Sequence, residues 1–421
     1  MSLDYRKLTL AAGAACAVCS GSAMASGFAL IENGASGLGN AYAGGAAAAL
    51  DASTIYFNPA GMTYLPERQM VVAVHAILPS AKFTDKGSAN AAPRPLGTDG
   101  GDAGSLAAVP NAYFATALNA QTRLGIGVNV PFGLQTEYTS DWIGRFQAVK
   151  SKLETINVNP SIAYQVSDAV SIGAGVSYQT IDGELTAAYN MVTSEGMSKV
   201  KGDDQAWGYN LGMLIKAGPQ TRIGLAYRSQ INYKLSGTMT VTSATGSLLA
   251  SNPVTLKLDM PDSFSASLHH QLDERWSLMA DATWTGWSVL KELNVVTTSG
   301  TSVLNVQENW VDTWRVAVGT SYRYNDRWTA RFGLALDQTP VKDAYRTARI
   351  PDAERIQVAI GGQYKPSDDS AIDFGYSHLF GGTVSINDLQ GATAFTQQKG
   401  NLIGEYAVSV DILSVQYTKN F

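Results

Sequence analysis

W-R-V-A-V-G-T-S-Y-R-Y-N-D-R-W-T-A-R-F-G-L-A-L-D, residues 314–337, alternates with a period of two on both sides of a turn. Trp314, Val316, Val318 and Tyr322 oppose Arg315, Gly319, Ser321 and Arg323. After Asn325-Asp326, Trp328, Ala330, Phe332, Leu334 and Leu336 oppose Thr329, Arg331, Gly333, Ala335 and Asp337. Successive side chains of a strand point to opposite faces, so the stretch reads as two half-buried strands. The same pattern sets Leu124, Ile126 and Val128 against Gly125, Gly127 and Asn129, and Val170, Ile172 and Val176 against Ser171, Gly173 and Gly175. The recurring G-x-G pairs are small residues on one strand face, not phosphate loops.

A soluble sandwich also alternates, but three features favour a membrane barrel. Tight turns near Asp168, Pro219, Glu274, Asp326 and Asp368 alternate with long polar loops, read as 85–108, 131–152, 183–205 and 382–401. Short periplasmic turns and long external loops are the outer-membrane pattern. Trp276 and Trp328 each follow a charged turn, where a headgroup girdle lies. The chain ends V-Q-Y-T-K-N-F, with Leu413, Val415, Tyr417 and Phe421 on one face. That ending resembles the sorting signal read by the barrel-assembly machinery. Val408, Val410 and Ile412 fall out of phase with it, which predicts a bulge near Asp411. Counting segments gives an all-β, antiparallel transmembrane barrel of about fourteen strands spanning 68–421. Closure pairs every strand edge internally, so the wall can face lipid.

Ahead of the strands, residues 36–62 (S-G-L-G-N-A-Y-A-G-G-A-A-A-A-L-D-A-S-T-I-Y-F-N-P-A-G-M) are apolar and broken by Gly and Pro. The Ala46–Leu50 core has room for one or two helical turns. Such a segment reads as a compact hatch, residues 26–67, plugging a lumen wide enough to need one. Before it, Arg6-Lys7, an apolar run and Ala23-Met24-Ala25 predict a signal peptide over 1–25. Both cysteines, Cys16 and Cys19, fall within it. Their C-A-V-C spacing carries no weight as a metal or redox pair. The formal charge of −5 argues against a nucleic-acid partner. After the signal, no run reaches the roughly 18 apolar residues of a spanning helix.

The order of motifs resembles the FadL-type outer-membrane transporters of long-chain fatty acids, with their aromatic-hydrocarbon-channel relatives. The likeness rests on S-G-L-G-N-A-Y-A-G (36–44), F-N-P-A-G-M (57–62), P-F-G-L-Q-T-E-Y (131–138), L-E-T-I-N-V-N-P-S-I-A-Y (153–164), A-Y-R-S (226–229) and I-P-D-A-E-R (350–355). It implies a Gram-negative outer-membrane location and passive transport of hydrophobic molecules through a plugged barrel. It also implies a hatch with Asn58, Pro59 and Ala60 inside the lumen, and a third strand that kinks inward to open the wall. Here that strand runs into Asn129-Val130-Pro131-Phe132-Gly133. Pro131 removes a ladder donor and Gly133 permits unusual dihedrals. An interrupted wall and a strand ending at a loop both fit.

A fatty acid needs an apolar channel for its tail and a cation for its carboxylate. Lys342, Arg346 and Arg349 form the best external cation cluster, either for ligand or for lipopolysaccharide phosphates. Trp142, Ile143 and Phe146 suit an outer capture groove or the loop's own small core. Arg315, Arg323 and Arg331 face the lumen, with Asp281, Asp337 and Asp373 as partners. Four histidines, with His269 and His270 on opposite strand faces, do not make a metal site. No G-x-S-x-G and no Walker A motif occurs, so neither enzyme activity nor cofactor is expected. The rivals are an alkane or aromatic channel, a general porin, an outer-membrane lipase and an adhesin. The expected partners are hydrophobic small molecules, outer-membrane lipid and lipopolysaccharide, with the protein a monomer.

Overall fold

The computed structural model describes residues 27–191, 193–389 and 399–421. The predicted signal peptide, with Cys16 and Cys19, lies outside the described residues. Within them, 19 strand segments form one antiparallel sheet. They are β1 (Arg68–Asp85), β2 (Ala107–Ala117), β3 (Thr122–Asn129), β4 (Gly133–Glu137), β5 (Lys150–Gln165), β6 (Val170–Asn190) and β7 (Glu195–Lys216). Next come β8 (Thr221–Arg228), β9 (Ile231–Thr242), β10 (Leu248–Met260), β11 (Ser263–Gln271), β12 (Trp276–Thr285) and β13 (Glu292–Thr297). The wall ends with β14 (Ser302–Gln307), β15 (Thr313–Arg323), β16 (Trp328–Asp337), β17 (Arg355–Ser367), β18 (Ser370–Asp388) and β19 (Leu402–Asn420). β19 closes on β1 from Gln69 opposite Asn420 to Asp85 opposite Gly404. Some staves are broken in two, as β3 and β4 are, so the closed barrel has 14.

The alternation sorts as barrel physics requires. In β16, Phe332, Leu334 and Leu336 are exposed on the outer wall, while Arg331, Ala335 and Asp337 are buried within. Trp276 packs on Tyr322 and Trp328 on Tyr364, each pair with ring centroids 4.6 Å apart beside a short turn. These aromatics form the inner-leaflet girdle.

Two expectations fail. Residues 183–205 are not a loop: β6 and β7 stay in register out to Asn190 opposite Glu195, as a hairpin running on past the apolar band. Nor is there a bulge at Asp411, where β19 keeps unbroken register with β1. The irregularity lies in β18, between Phe380 and Gly382. Val408, Val410 and Ile412 are apolar because they point inward, Val410 and Ile412 onto Leu30, Ile77 and Val109. On β19 the inward face is apolar there while Ser409 and Asp411 point outward, and that inversion mimics a phase slip.

Inside the barrel, residues 27–67 form three short helices, α1 (Ala35–Leu38), α2 (Gly45–Ala48) and α3 (Thr54–Phe57), and a 3₁₀ segment (Pro59–Tyr64). Ala49, left-handed at φ 46°, stops α2 after one turn. Such short helices leave most backbone groups unpaired, and wall side chains satisfy several of them. Arg222, Arg228 and Arg315 donate to the carbonyls of Ala48, Tyr56 and Ala41 at 2.8, 2.9 and 2.8 Å. Gln416 of β19 accepts from the Ala35 amide at 2.9 Å and donates to Asp51 at 2.8 Å. The wall glycines explain the G-x-G pattern. A Cβ on Gly212, Gly224 or Gly333 would run into Asn58, the Ala46 carbonyl or the Asn40 backbone. The bare inner face lets the hatch backbone lie against the wall backbone.

Candidate functional site

The site begins where β3 leaves its neighbour. β2 and β3 pair from Ala117 opposite Arg123 to Ala112 opposite Val128. Beyond Val128 the chain turns inward and pairs with the hatch. The Leu30 amide donates to the Pro131 carbonyl at 2.8 Å, and the Gly133 amide to the Phe28 carbonyl at 3.0 Å. Thr155 of β5 clamps Phe132, accepting from its amide at 3.0 Å and donating to its carbonyl at 2.8 Å. Among the described residues, positions 107–111 of β2 therefore pair with β1 alone. The wall is interrupted at Pro131 and Phe132. Gly133 does not have the unusual dihedral expected of it; its bareness accommodates Leu30, 3.1 Å from where a Cβ would sit.

Pro131 and Phe132 line an inner chamber of about 140 Å³ together with Ile31, Phe57 and Pro59. Arg228 and Arg315 also face it. Arg228 lies over the Tyr56 ring at 4.2 Å. Arg315 donates to Ala41 and, at 2.7 Å, to Gln357, but its Nη1 has no partner among the described residues. Its expected carboxylate pairing gives way to holding the hatch. Arg331 does pair with Asp373, at 2.6 Å, while Arg323 sits exposed at the periplasmic turn.

An outer cavity of about 70 Å³ is lined by Phe28, Leu134, Leu153, Leu235, Leu258 and Leu293. Phe28 belongs to the outer cavity and Phe132 to the inner chamber, with ring centroids 6.1 Å apart. Trp287 and Trp310 complete the cluster, 4.8 and 5.6 Å from Phe28. All four rings are buried, so an aromatic partition separates the two spaces.

Three cationic residues, Lys152, Lys201 and Arg349, contribute to the outer cavity's lining. Arg349 also borders a polar cavity of about 450 Å³ that Arg346 and Lys399 line too. Its Nη1 donates to Ser151 Oγ at 3.1 Å. Burial lowers its pKa to about 10, against the charges of Glu308 and Asp388. Glu308 is buried as well, pushed up to about 8 by desolvation, and accepts from Trp310 Nε1 at 2.9 Å.

The expected cation trio is split. Arg349 reaches the apolar cavity. Arg346 is buried but committed, to Asp343 and to the carbonyls of Ser385 at 2.7 Å and Asp352 at 3.1 Å. Lys342 is exposed and lines neither cavity. Trp142, Ile143 and Phe146 are buried and line none of these three spaces. Trp142 stacks on Tyr138 at 3.9 Å and donates to Ala148 O at 2.7 Å, closing the loop's own core. In the hatch, Asn58 Nδ2 donates to Ala46 O at 2.7 Å and Met213 O at 3.0 Å, and its Oδ1 accepts from the Ala60 amide at 3.1 Å. Sequence reasoning missed Phe28, Trp287, Trp310 and Arg228, although Arg228 sits in the quoted A-Y-R-S.

The whole barrel with its hatch matches a family described as outer membrane protein transport protein (OMPP1/FadL/TodX), over residues 16–421. The chain belongs to this family. A relative named long-chain fatty acid transport protein, from Salmonella typhi, is 29% identical over 406 residues, covering 89% of this chain and 92% of that one. Among solved structures, a FadL homologue of Pseudomonas aeruginosa superposes with a TM-score of 0.87 at 27% identity, over 94% of this chain and 100% of that one. The toluene transporter TodX of P. putida superposes with a TM-score of 0.73 at 20% identity, over 92% and 98%, and speaks for the fold alone. The OMPP1/FadL/TodX family is one of outer-membrane transport proteins, and the chain is a β-barrel of the Gram-negative outer membrane.

Proposed function

We propose that this protein carries long-chain fatty acids across the outer membrane by passive diffusion. The observation that carries the reading is Arg349, which borders both a polar cavity and a leucine-lined one. A carboxylate held there would leave its tail in apolar surroundings. Rotation of Phe28 and Trp287 then joins the outer cavity to the inner chamber, and the tail leaves through the break at Pro131 and Phe132. Release into the periplasm would expose the tail to water at about 0.8 kcal/mol per CH₂, so sideways delivery into lipid is favoured. Residues 26–67 act as the hatch and 68–421 as the barrel, exported with loss of 1–25. The barrel is inserted by the assembly machinery and surrounded as a monomer by lipid and lipopolysaccharide.

The reading assigns the chain no catalysis and no cofactor. Among the described residues, no group of three metal-ligating side chains occurs. A hydrocarbon channel is the second reading, supported by the aromatic partition. The cations around the outer cavity favour an anionic headgroup over a neutral ligand. Growth of a deletion strain complemented with this gene tests the choice: oleate as carbon source should restore growth. Restored growth on an alkane or toluene without growth on oleate overturns it.

A further inference from the structure

Asp411 breaks the apolar outer row of β19, and no element of the transport route uses it. The side chain is 44% exposed on the outer wall, above Leu413, Val415 and Tyr417. Six residues up a strand rising about 3.3 Å each at a tilt of roughly 40° place it about 15 Å above the Tyr417 girdle. The first surface ion pairs, Lys82 with Asp102 and Lys86 with Glu405, lie higher still. Asp411 therefore stands at the upper part of the apolar band, facing the outer leaflet.

It is not alone. His378 lies directly opposite on β18 and Leu78 on β1. His378 Nδ1 donates to Asp411 Oδ1 at 2.8 Å, and the Tyr376 hydroxyl to the same oxygen at 2.6 Å. Phe380 closes against the imidazole edge-on at 4.3 Å. Charged side chains on the lipid face of a barrel destabilise it, and an ionisable residue held at membrane depth marks a site. Two donors fix Asp411 through one oxygen, and Oδ2 has no hydrogen-bond partner among the described residues.

We propose that Asp411, His378 and Tyr376 form a binding site for an outer-leaflet lipid with hydroxyl or amide donors close to its head, as the hydroxyacyl chains of lipopolysaccharide have. The sign of the charge selects the occupant. A departing carboxylate or a phosphate offers only acceptors and meets a carboxylate, whereas a hydroxyl or amide donor satisfies Oδ2. The exposed Phe380, Leu413 and Leu78 give the acyl chain its apolar bed. This site is independent of the transport route.

Native mass spectrometry of the mature protein, titrated with purified lipid A or with phosphatidylmethanol, tests it. Asp411→Leu with His378→Leu completes the apolar row and should still insert as a heat-modifiable barrel. Lipid A affinity should fall about tenfold or more, since hydrogen bonds to a charged group are lost. Tyr376→Phe, a milder change, should show a smaller loss. Unchanged lipid A affinity in both variants overturns the site. Equal affinity of the wild-type protein for phosphatidylmethanol, whose head carries no donor, overturns the donor assignment. If instead oleate uptake falls with lipid A binding intact, or a wild-type dimer becomes monomeric, the cluster serves the ligand route or a second copy, and the proposal is wrong.

Discussion

The Leu30 amide donates to the carbonyl of Pro131 at 2.8 Å, so the hatch takes over as strand partner where the wall gives its own up. With the Gly133 amide on the Phe28 carbonyl at 3.0 Å, two backbone bonds tie the inner segment to the gap.

Pro131→Val with Gly133→Val should draw this segment back towards β2. A valine at position 133 meets Leu30, and one at 131 restores a ladder donor. Oleate should still bind the purified protein, while transfer into the bilayer of proteoliposomes falls severalfold. Transfer at the wild-type rate in a normally inserted variant would place the exit elsewhere.

Arg349→Gln should weaken oleate binding by about ten- to a hundredfold, the value of a charge-assisted hydrogen bond. Lys342→Gln, at an exposed position away from both cavities, should change little. Isothermal titration with oleate and with a neutral hydrocarbon separates the cases. Equal losses for both ligands in Arg349→Gln would mean that the residue supports the loop rather than the headgroup.

Gly212→Val should dislodge the hatch without breaking the barrel, because the added side chain runs into Asn58 and Pro59. Planar-bilayer conductance should rise towards that of a protein lacking 26–62, and residues 27–67 should become protease-sensitive. Wild-type conductance in both the variant and the deletion would show that the segment is no plug.

Glu308 titrates at about 8 in the folded loop, above its usual 4.5, because burial disfavours the anion. The folded loop therefore binds the proton more tightly than the opened one. Its contribution to loop stability is complete below about 4.5 and is lost as pH rises through about 8. Amide protection near Trp310, corrected for intrinsic exchange, should fall between about pH 4.5 and 8 and level off above, and Glu308→Gln should flatten the profile. A profile unaltered by the substitution would assign the pH response to another group.

Period-two alternation revealed the wall because each strand separates lipid from lumen residue by residue; β1 begins at Arg68, where the alternation does. The small G-x-G face was readable too, though not that it is shaped by the hatch backbone. The site was less legible. Arg346 reads as an external cation open to a ligand or to lipopolysaccharide, yet it is buried against a carbonyl 39 positions away. Arg315 reads as a partner for aspartate, but takes the Ala41 carbonyl, 274 positions distant. Trp142 reads equally as groove or core until Tyr138 and Phe83 are seen against it. Local pattern reports which face a residue occupies. It does not report which distant carbonyl or ring completes its environment.

Gln416 gives the molecule an order of events. The hatch has three one-turn helices and takes much of its support from wall side chains, so it has little reason to hold its shape alone. Its hold on Ala35 and Asp51 comes from β19, the last strand made, which also closes the cylinder against β1. The hold of Gln416 on Ala35 and Asp51 exists only once β19 is in place, so this segment's full set of wall bonds is complete only when the barrel shuts.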